Sequence, residues 1–342
     1  MTQTMTRIAL ASRPEGKPGP ENFRLETLPL PTPGPGEFLA RVVWLSLDPY
    51  MRGRMSAAKS YAKPVEVGAT MEGGAVAQVI TSNTPAFAPG DYVVGNFGWA
   101  SHAVSTGEGV QKIDPDAAPL STALGVLGMP GLTAWVGLND IAGAKSGETI
   151  VVSAATGAVG SLVGQLARAK GMRTIGIAGG ADKCAYATAE LGYDVCLDHH
   201  AADTRTLSQQ IAEAAPTGVD VYFENTGGKP LEAVLPRMNT HGRIALCGMI
   251  AWYSGIEGAP PAPAVWGAIL RQRLRVQGFI IFDHFNRAPA FRAEVAPLVK
   301  SGAIRYRETV AEGLAQAPAA FLSLLEGGNF GKQLVRIAPA RA

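Results

Sequence analysis

Cysteine is scarce in this chain: Cys184, Cys196 and Cys247 are all there is in 342 residues. Three cysteines without a CxxC spacing build no disulfide framework, and each is expected to be a reduced, small, buried apolar side chain. Histidine is nearly as rare, and the first 127 residues hold only His102. A Cys/His zinc site has no ligand set there. An excess of one charge is missing too, since 30 Lys and Arg against 28 Asp and Glu leave a net +2. With no basic block to track phosphates, nucleic acid is excluded as a partner. No apolar run is long enough to span a bilayer, and Ile8-Ala9-Leu10-Ala11 is too short for a signal peptide's hydrophobic region. A soluble cytoplasmic protein without a membrane partner is the expectation.

What is present is the composition of a folded enzyme-sized chain, 47% apolar and 17% charged, long enough for two domains. Residues 1–127 alternate short β-favouring runs, Phe38-Leu39-Ala40-Arg41-Val42-Val43-Trp44-Leu45 and Asp91-Tyr92-Val93-Val94-Gly95, with turns such as Pro33-Gly34-Pro35-Gly36. This pattern predicts a compact β domain. Residues 128–305 change texture. Strands are predicted at 149–153, 173–178, 195–197, 219–223, 243–246 and 276–281, with helices running to 170 and over 182–191. That alternation means a doubly wound parallel sheet. Residues 306–342, with a helix at 317–325 and a strand at 333–337, are read as returning to the first domain.

The most informative junction follows the first of these strands: Ala154-Ala155-Thr156-Gly157-Ala158-Val159-Gly160, then the helical Ser161-Leu162-Val163-Gly164. A tight strand-to-helix turn lets backbone N–H groups face a pyrophosphate, Gly157 allowing close approach and Gly160 close helix-on-strand packing. The GxGxxG pattern is incomplete, because Ala155 stands in the first glycine's place. At the end of the next strand, Ile177-Ala178-Gly179-Gly180-Ala181-Asp182-Lys183 carries no strand-end acid to hold a ribose 2′-hydroxyl. Small residues at Gly179 and Gly180 leave room for a phosphate, and Lys183 supplies a cation, so NADPH is favoured over NADH. Two readings of Asp182 stand, a helix N-cap (the favoured one) and a 2′-hydroxyl ligand.

Seven segments in order carry a resemblance: Leu45 through Arg52 with its Asp48-Pro49-Tyr50-Met51-Arg52 core, Gly128-Met129-Pro130-Gly131-Leu132-Thr133-Ala134, Ala154 through Gly160, Gly179 through Lys183, Glu224-Asn225-Thr226-Gly227-Gly228, Cys247-Gly248-Met249-Ile250, and Gly328-Asn329-Phe330-Gly331-Lys332. Together they resemble the zinc-independent branch of the medium-chain dehydrogenase/reductase superfamily, in the group of leukotriene B4 12-hydroxydehydrogenase/prostaglandin reductases with alkenal and curcumin reductases. The resemblance implies a Rossmann domain inserted into a GroES-like β-rich catalytic domain, with a cleft where they meet. It also implies that Thr156, Gly157, Ala158, Val159 and Gly160 line the pyrophosphate and that Gly180 and Lys183 line the 2′-phosphate. Asn225, Cys247, Met249, Tyr253, Phe279, Ile280, Ile281 and Asn329 would surround the ribose and nicotinamide. The family often has Tyr where this chain has Asp198-His199-His200; His199 either replaces that contact or is a surface residue. A homodimer is implied, through the strand near 276–281.

Where the zinc branch has Gly-His-Glu this chain reads Met71-Glu72-Gly73-Gly74. Without a Lewis acid, hydride delivery suits an α,β-unsaturated ketone or aldehyde: hydride reaches the β-carbon, charge moves to the carbonyl oxygen as an enolate, and the α-carbon is protonated. A phenol stays protonated at neutral pH and can hold the enolate. Tyr253 is the expected enolate donor and proton source, and Tyr50 the expected substrate-positioning donor; either ring alternatively packs with its hydroxyl bonded to protein. Asp48 is expected to be structural, Arg52 to make an ion pair, and Trp252 to be an apolar wall. The Pro-rich segment 255–266 is expected to line the substrate pocket. A quinone oxidoreductase and a non-catalytic NADPH-binding sensor are the alternative readings.

Overall fold

The computed structural model describes residues 3–201, 206–255 and 262–339. Its described residues divide into two compact units, one running to Gly125 and resuming at Glu308, the other covering Val126–Arg307. Among them no helix is long and apolar enough to cross a membrane.

The first unit is built on the strand Phe38–Ser46, which is buried along nearly its whole length. A strand covered on both faces reads as a continuous apolar run rather than an alternation. It pairs antiparallel with Gly74–Ser82, with His102–Ser105 and with Lys332–Arg336. The sheet continues to Tyr92–Asn96 and Gln111–Ile113 on one side and to Glu308–Glu312 on the other. Thr4–Leu10 and Phe23–Pro29 form a separate antiparallel pair. The chain's last segment belongs to this core: Phe321, on the helix Ala317–Leu325, meets Trp99 edge-on at 5.5 Å, and Trp99 in turn stacks on Phe23 at 5.6 Å. Rings at such spacings add to burial through offset and edge-to-face geometry.

The second unit carries six parallel strands: β1 Thr149–Ser153, β2 Arg173–Ala178, β3 Val195–Asp198, β4 Val219–Glu224, β5 Met238–Leu246 and β6 Arg275–Gly278. Their order across the sheet is β3-β2-β1-β4-β5-β6, which is the doubly wound arrangement with its switch point between β1 and β4. β1 is buried at all five positions, as a central parallel strand requires. Helix α1, Gly160–Ala169, follows β1, and α2, Ala181–Ala189, follows β2. The Gly-Met-Pro-Gly-Leu-Thr-Ala run opens the helix Met129–Val136 with Pro130 in its first turn. A side chain at Gly131 would lie 2.0 Å from the Val126 carbonyl oxygen, so only glycine fits that entry.

Two expectations need correction. The strand foreseen at 276–281 ends at Gly278, because Phe279 turns into the core, where it meets Phe223 edge-on at 6.5 Å, and a 3-10 helix, Ile281–Arg287, begins at Ile281. Arg52 donates to the Gly16 carbonyl at 2.7 Å rather than pairing with a carboxylate among the described residues; the ion pair of that loop is Arg54 with Glu72.

Candidate functional site

The carboxyl ends of all six parallel strands lie along one edge of the second unit's sheet, where open α/β sheets bind their ligands. The residues singled out in this unit follow those ends in turn: Thr156 to Gly160 after β1, Gly180 and Lys183 after β2, His199 after β3, Asn225 after β4, Cys247, Met249 and Tyr253 after β5, and Phe279 to Ile281 after β6. The topology therefore brings six separated segments to one edge. Tyr50 and Asn329 belong to the other unit.

The turn after β1 is made of backbone. Ala154 adopts a left-handed φ of 49°, and the Gly157 N–H donates to its carbonyl at 2.9 Å. A Cβ at Gly160 would sit 2.3 Å from that same oxygen, so a side chain there is incompatible with the turn. Gly164 serves the next layer: a Cβ would strike the Tyr193 ring at 2.1 Å, and the Tyr193 hydroxyl donates to the Gly160 carbonyl at 2.7 Å. α1 thus starts close against the sheet, with its unsatisfied N–H groups and dipole at the edge, an arrangement that attracts a pyrophosphate.

The next segment is held by an acid that sequence reasoning assigned no role. Asp198 accepts the Gly180 N–H at 2.8 Å and the His200 N–H at 2.9 Å. Partial desolvation opposes ionisation, but these two donors and the neighbouring imidazoles hold its carboxyl below the usual range. Gly180, at a φ of 99°, is the N-cap of α2, whereas Asp182 is exposed inside the first turn and caps nothing, which corrects the favoured reading. Lys183 is half-buried, and desolvation pulls its ammonium below the ordinary lysine value. His199 meets His200 edge-on with centroids 4.1 Å apart. Burial lowers its pKa first, the positive charges of His200, Lys229 and Lys183 lower it further, and Asp198 works against them. Lys229, on the helix Gly228–Val234, was missed in the sequence because nothing local marks it. His200, Lys183, Lys229 and the Asp198 carboxylate thus lie near His199, a predominantly basic setting suited to a phosphate.

After β4, the buried Glu224 organises the loop, its carboxylate accepting the Ser153 hydroxyl at 2.9 Å and the Thr226 and Gly227 N–H groups at 2.6 and 3.0 Å. Asn225 is fastened to β1, its side-chain amide donating to the Ser153 carbonyl at 2.7 Å. The β5 loop is tied to the same place by Cys247 and Gly248 N–H bonds to the Glu224 carbonyl at 2.9 and 3.1 Å. Burial, and then the Glu224 charge, push the Cys247 thiol up to about 12, so it stays protonated. Met249 is exposed, and its N–H donates to the Tyr253 hydroxyl oxygen at 3.3 Å. That bond uses a lone pair, not the phenolic hydrogen. Trp252 covers Gly227, where a Cβ would come within 2.8 Å of the indole. Phe279 and Ile281 are buried in the core. Residues 256–261 of the segment expected to line the pocket lie outside the described residues.

In the other unit, the Asp-Pro-Tyr-Met-Arg and Gly-Asn-Phe-Gly-Lys runs meet. The buried Lys332 ammonium donates to the Leu47 carbonyl at 2.6 Å, the Gln333 carbonyl at 3.0 Å and the Asp48 carboxylate at 3.1 Å. Asp48 is therefore structural, the anchor of the Tyr50 loop. Tyr50 is half-buried with the Arg54 guanidinium 5.3 Å from its ring centre. Burial first, then the Asp48 and Glu72 charges, hold its hydroxyl far above the usual phenol range. It is a hydrogen-bond donor at any physiological pH. Asn329 is half-buried, its side-chain amide donating to the Gly331 carbonyl at 2.6 Å.

A doubly wound sheet with a glycine turn and a basic pocket at its carboxyl edge defines a dinucleotide-binding protein. Comparisons with known proteins narrow this. Residues 6–113 match a family model described as the N-terminal domain of oxidoreductase, and residues 158–300 match one described as zinc-binding dehydrogenase. The chain is 49% identical over 340 residues to the NADPH-dependent curcumin reductase of Escherichia coli (strain K12), covering 98% of each. It is 43% identical over 327 residues to prostaglandin reductase 1 of Rattus norvegicus, covering 94% of this chain and 96% of that one. The crystal structure of CurA from Vibrio vulnificus in complex with NADPH superposes with a TM-score of 0.93 at 49% identity, covering 98% of this chain and 99% of that one. The chain belongs to the medium-chain dehydrogenase/reductase superfamily, in its curcumin, prostaglandin and alkenal reductase group. The zinc named by the second family model finds no fit in these residues. All three cysteines lie in the second unit, and no group of three or more His, Cys, Asp or Glu stands ready for a metal among the described residues.

Proposed function

We propose that this protein is an NADPH-dependent reductase of the carbon–carbon double bond of α,β-unsaturated ketones or aldehydes. The observation that carries the reading is its 49% identity, across nearly the whole of both chains, to an NADPH-dependent curcumin reductase. The residues fit the cofactor: the turn around Gly160 leaves space only for backbone beside α1, and Lys183 and His199, after the neighbouring strands β2 and β3, can supply positive charge to a 2′-phosphate.

When bound, NADPH supplies the hydride. Thr156 to Gly160 would hold the pyrophosphate, with Gly180, Lys183 and His199 at the 2′-phosphate. Asn225, Cys247, Met249 and the segment from Phe279 to Ile281 would surround the ribose and nicotinamide. As negative charge builds on the substrate's carbonyl oxygen, the Tyr253 hydroxyl would donate to it and the α-carbon is then protonated. A preorganised donor of this kind contributes about 10²–10³ in turnover. Tyr253→Phe should lower kcat by roughly that factor while NADPH affinity stays the same, and unchanged turnover removes Tyr253 from the mechanism.

The reaction class is tested by following NADPH absorbance with an alkenal, an aryl enone, a quinone and a simple aldehyde, then identifying the product. Saturated ketone or aldehyde supports the reading. Turnover of the quinone alone, or reduction of C=O with C=C intact, overturns it, and no turnover at all leaves a binding protein. A homodimer is part of the same reading. It is supported by β6, an edge strand exposed along its length, and by the exposed Val276, Phe282 and Phe285 nearby in sequence; such an edge invites pairing. Light scattering that finds the mass of one chain at micromolar concentration refutes it.

A further inference from the structure

Two cysteines stand together beside the basic pocket. Cys196 on β3 is in register with Gly176 on β2. A Cβ at Gly176 would lie 3.2 Å from the Cys196 sulfur, so the missing side chain is what lets that sulfur reach across β2. There it faces Cys184, in the first half of α2, the helix that packs against both β2 and β3, close enough for the two thiols to interact. The Ala178 backbone N–H also donates to the Cys184 sulfur. Both thiols are half-buried rather than enclosed, within reach of a small oxidant.

We propose that Cys184 and Cys196 are a reversible redox pair, which peroxide closes into a disulfide that weakens NADPH binding. The chemistry balances with hydrogen peroxide as oxidant. The Cys184 thiolate attacks one peroxide oxygen, the O–O bond breaks, and the other oxygen leaves as water, giving a sulfenic acid. The Cys196 sulfur then attacks the Cys184 sulfur, the S–O bond breaks, and a second water leaves. Two thiols and one peroxide become one disulfide and two waters.

The roles follow from the surroundings. Cys184 is the attacking thiolate, since the Cys196 S–H donated to it outweighs burial and the Asp198 charge, with the Ala178 N–H adding to the effect, and its pKa falls below the ordinary thiol value. Low-pKa, accessible thiols with a resolving partner alongside are the ones that oxidise first. The consequence for the cofactor comes from position. Cys184 adjoins Lys183, and Cys196 is two residues from Asp198, whose carboxylate holds the Gly180 N–H. A disulfide of about 2.05 Å is far shorter than a hydrogen-bonded contact. Closing it pulls the first turn of α2 toward β3 and takes Lys183 with it.

The effect on NADPH rests on Lys183 as phosphate ligand; formation of the disulfide does not. The full-length protein is treated with hydrogen peroxide, quenched, alkylated with N-ethylmaleimide and analysed by peptide mass spectrometry, with NADPH affinity measured by fluorescence titration before oxidation, after it and after dithiothreitol. Expected are a cross-linked peptide joining Cys184 to Cys196 with Cys247 still alkylated, an NADPH affinity about ten-fold weaker, and recovery with dithiothreitol. Cys184→Ser and Cys196→Ser should each bind NADPH normally and each lose the peroxide effect. Absence of the cross-link, or its formation with Cys247, overturns the pair. A cross-link with unchanged NADPH affinity overturns the coupling. Lys183→Ala in the reduced protein separates the two readings, because unaltered affinity there removes the lysine's role and leaves the cross-link result standing.

Discussion

The two ends of the dinucleotide edge are built from opposite materials. The turn after β1 is shaped by what is missing: Gly160 lies so near the Ala154 carbonyl that a side chain is excluded at 2.3 Å, and the groups offered there are backbone N–H. The cluster after β2 and β3 is shaped by what is added, namely His200, Asp198, Lys229 and Lys183 near His199. On the proposed reading, the first end would take any dinucleotide and fail sterically, whereas the second would distinguish a phosphate from a hydroxyl and fail electrostatically.

The strongest way to break the comparison is Gly160→Val. Backbone atoms at that distance cannot yield without the turn moving, and overpacking of this kind costs about 1–3 kcal/mol even where structure relaxes. NADPH and NADH affinities should fall together by roughly 10–100-fold, measured by calorimetric titration, along with a lower Tm. A loss confined to NADPH would show that the turn is not the shared pyrophosphate site.

Lys183→Ala should act at the other end alone. Losing a charge-assisted hydrogen bond costs about 1.5–3 kcal/mol, so NADPH should weaken by about ten-fold or more while NADH changes little, and the NADPH loss should shrink as salt is raised. Equal loss for both cofactors would remove Lys183 from the phosphate site.

This contrast also decides what was legible in the sequence. The turn after β1 was readable because its determinants are consecutive: a short strand with Ile150, Val151 and Val152 at its centre, then glycines at fixed spacing, then a helical pattern. The parallel sheet was readable from the same alternation. The basic pocket was readable only at Lys183. Asp198 holds Gly180 from 18 positions away, and Lys229 arrives from the helix after β4, so neither leaves a local mark. The end of β6 was overrun for a similar reason: Phe279 is apolar enough to extend a strand, yet Gly137 makes room for its ring in the core, where a Cβ would lie 2.9 Å away. In the other unit, the tie between Asp48 and Lys332 spans 284 positions, although both lie in runs that stood out in the sequence.

The smallest expected effect lies in pH. In the protein alone, burial and neighbouring positive charge hold His199 below the ordinary histidine value. The folded state then binds fewer protons than the unfolded one, so this group's contribution to stability is present above the ordinary value and is lost as pH falls below it. A bound 2′-phosphate reverses the local field and raises the imidazole's pKa, so binding takes up a proton. NADPH affinity should therefore be higher where His199 is charged and decline as pH rises through the raised value, by at most about ten-fold per unit of pKa change. The phosphate's own proton, lost near pH ~6, acts in the opposite direction, and the slope is best read above that. Titrations from about pH 6.5 to 8 should show the decline for NADPH, none for NADH, and a flatter profile in His199→Ala. The same slope for NADH, or an unaltered one in the variant, would return His199 to the surface and leave the lysines as the phosphate's only cations.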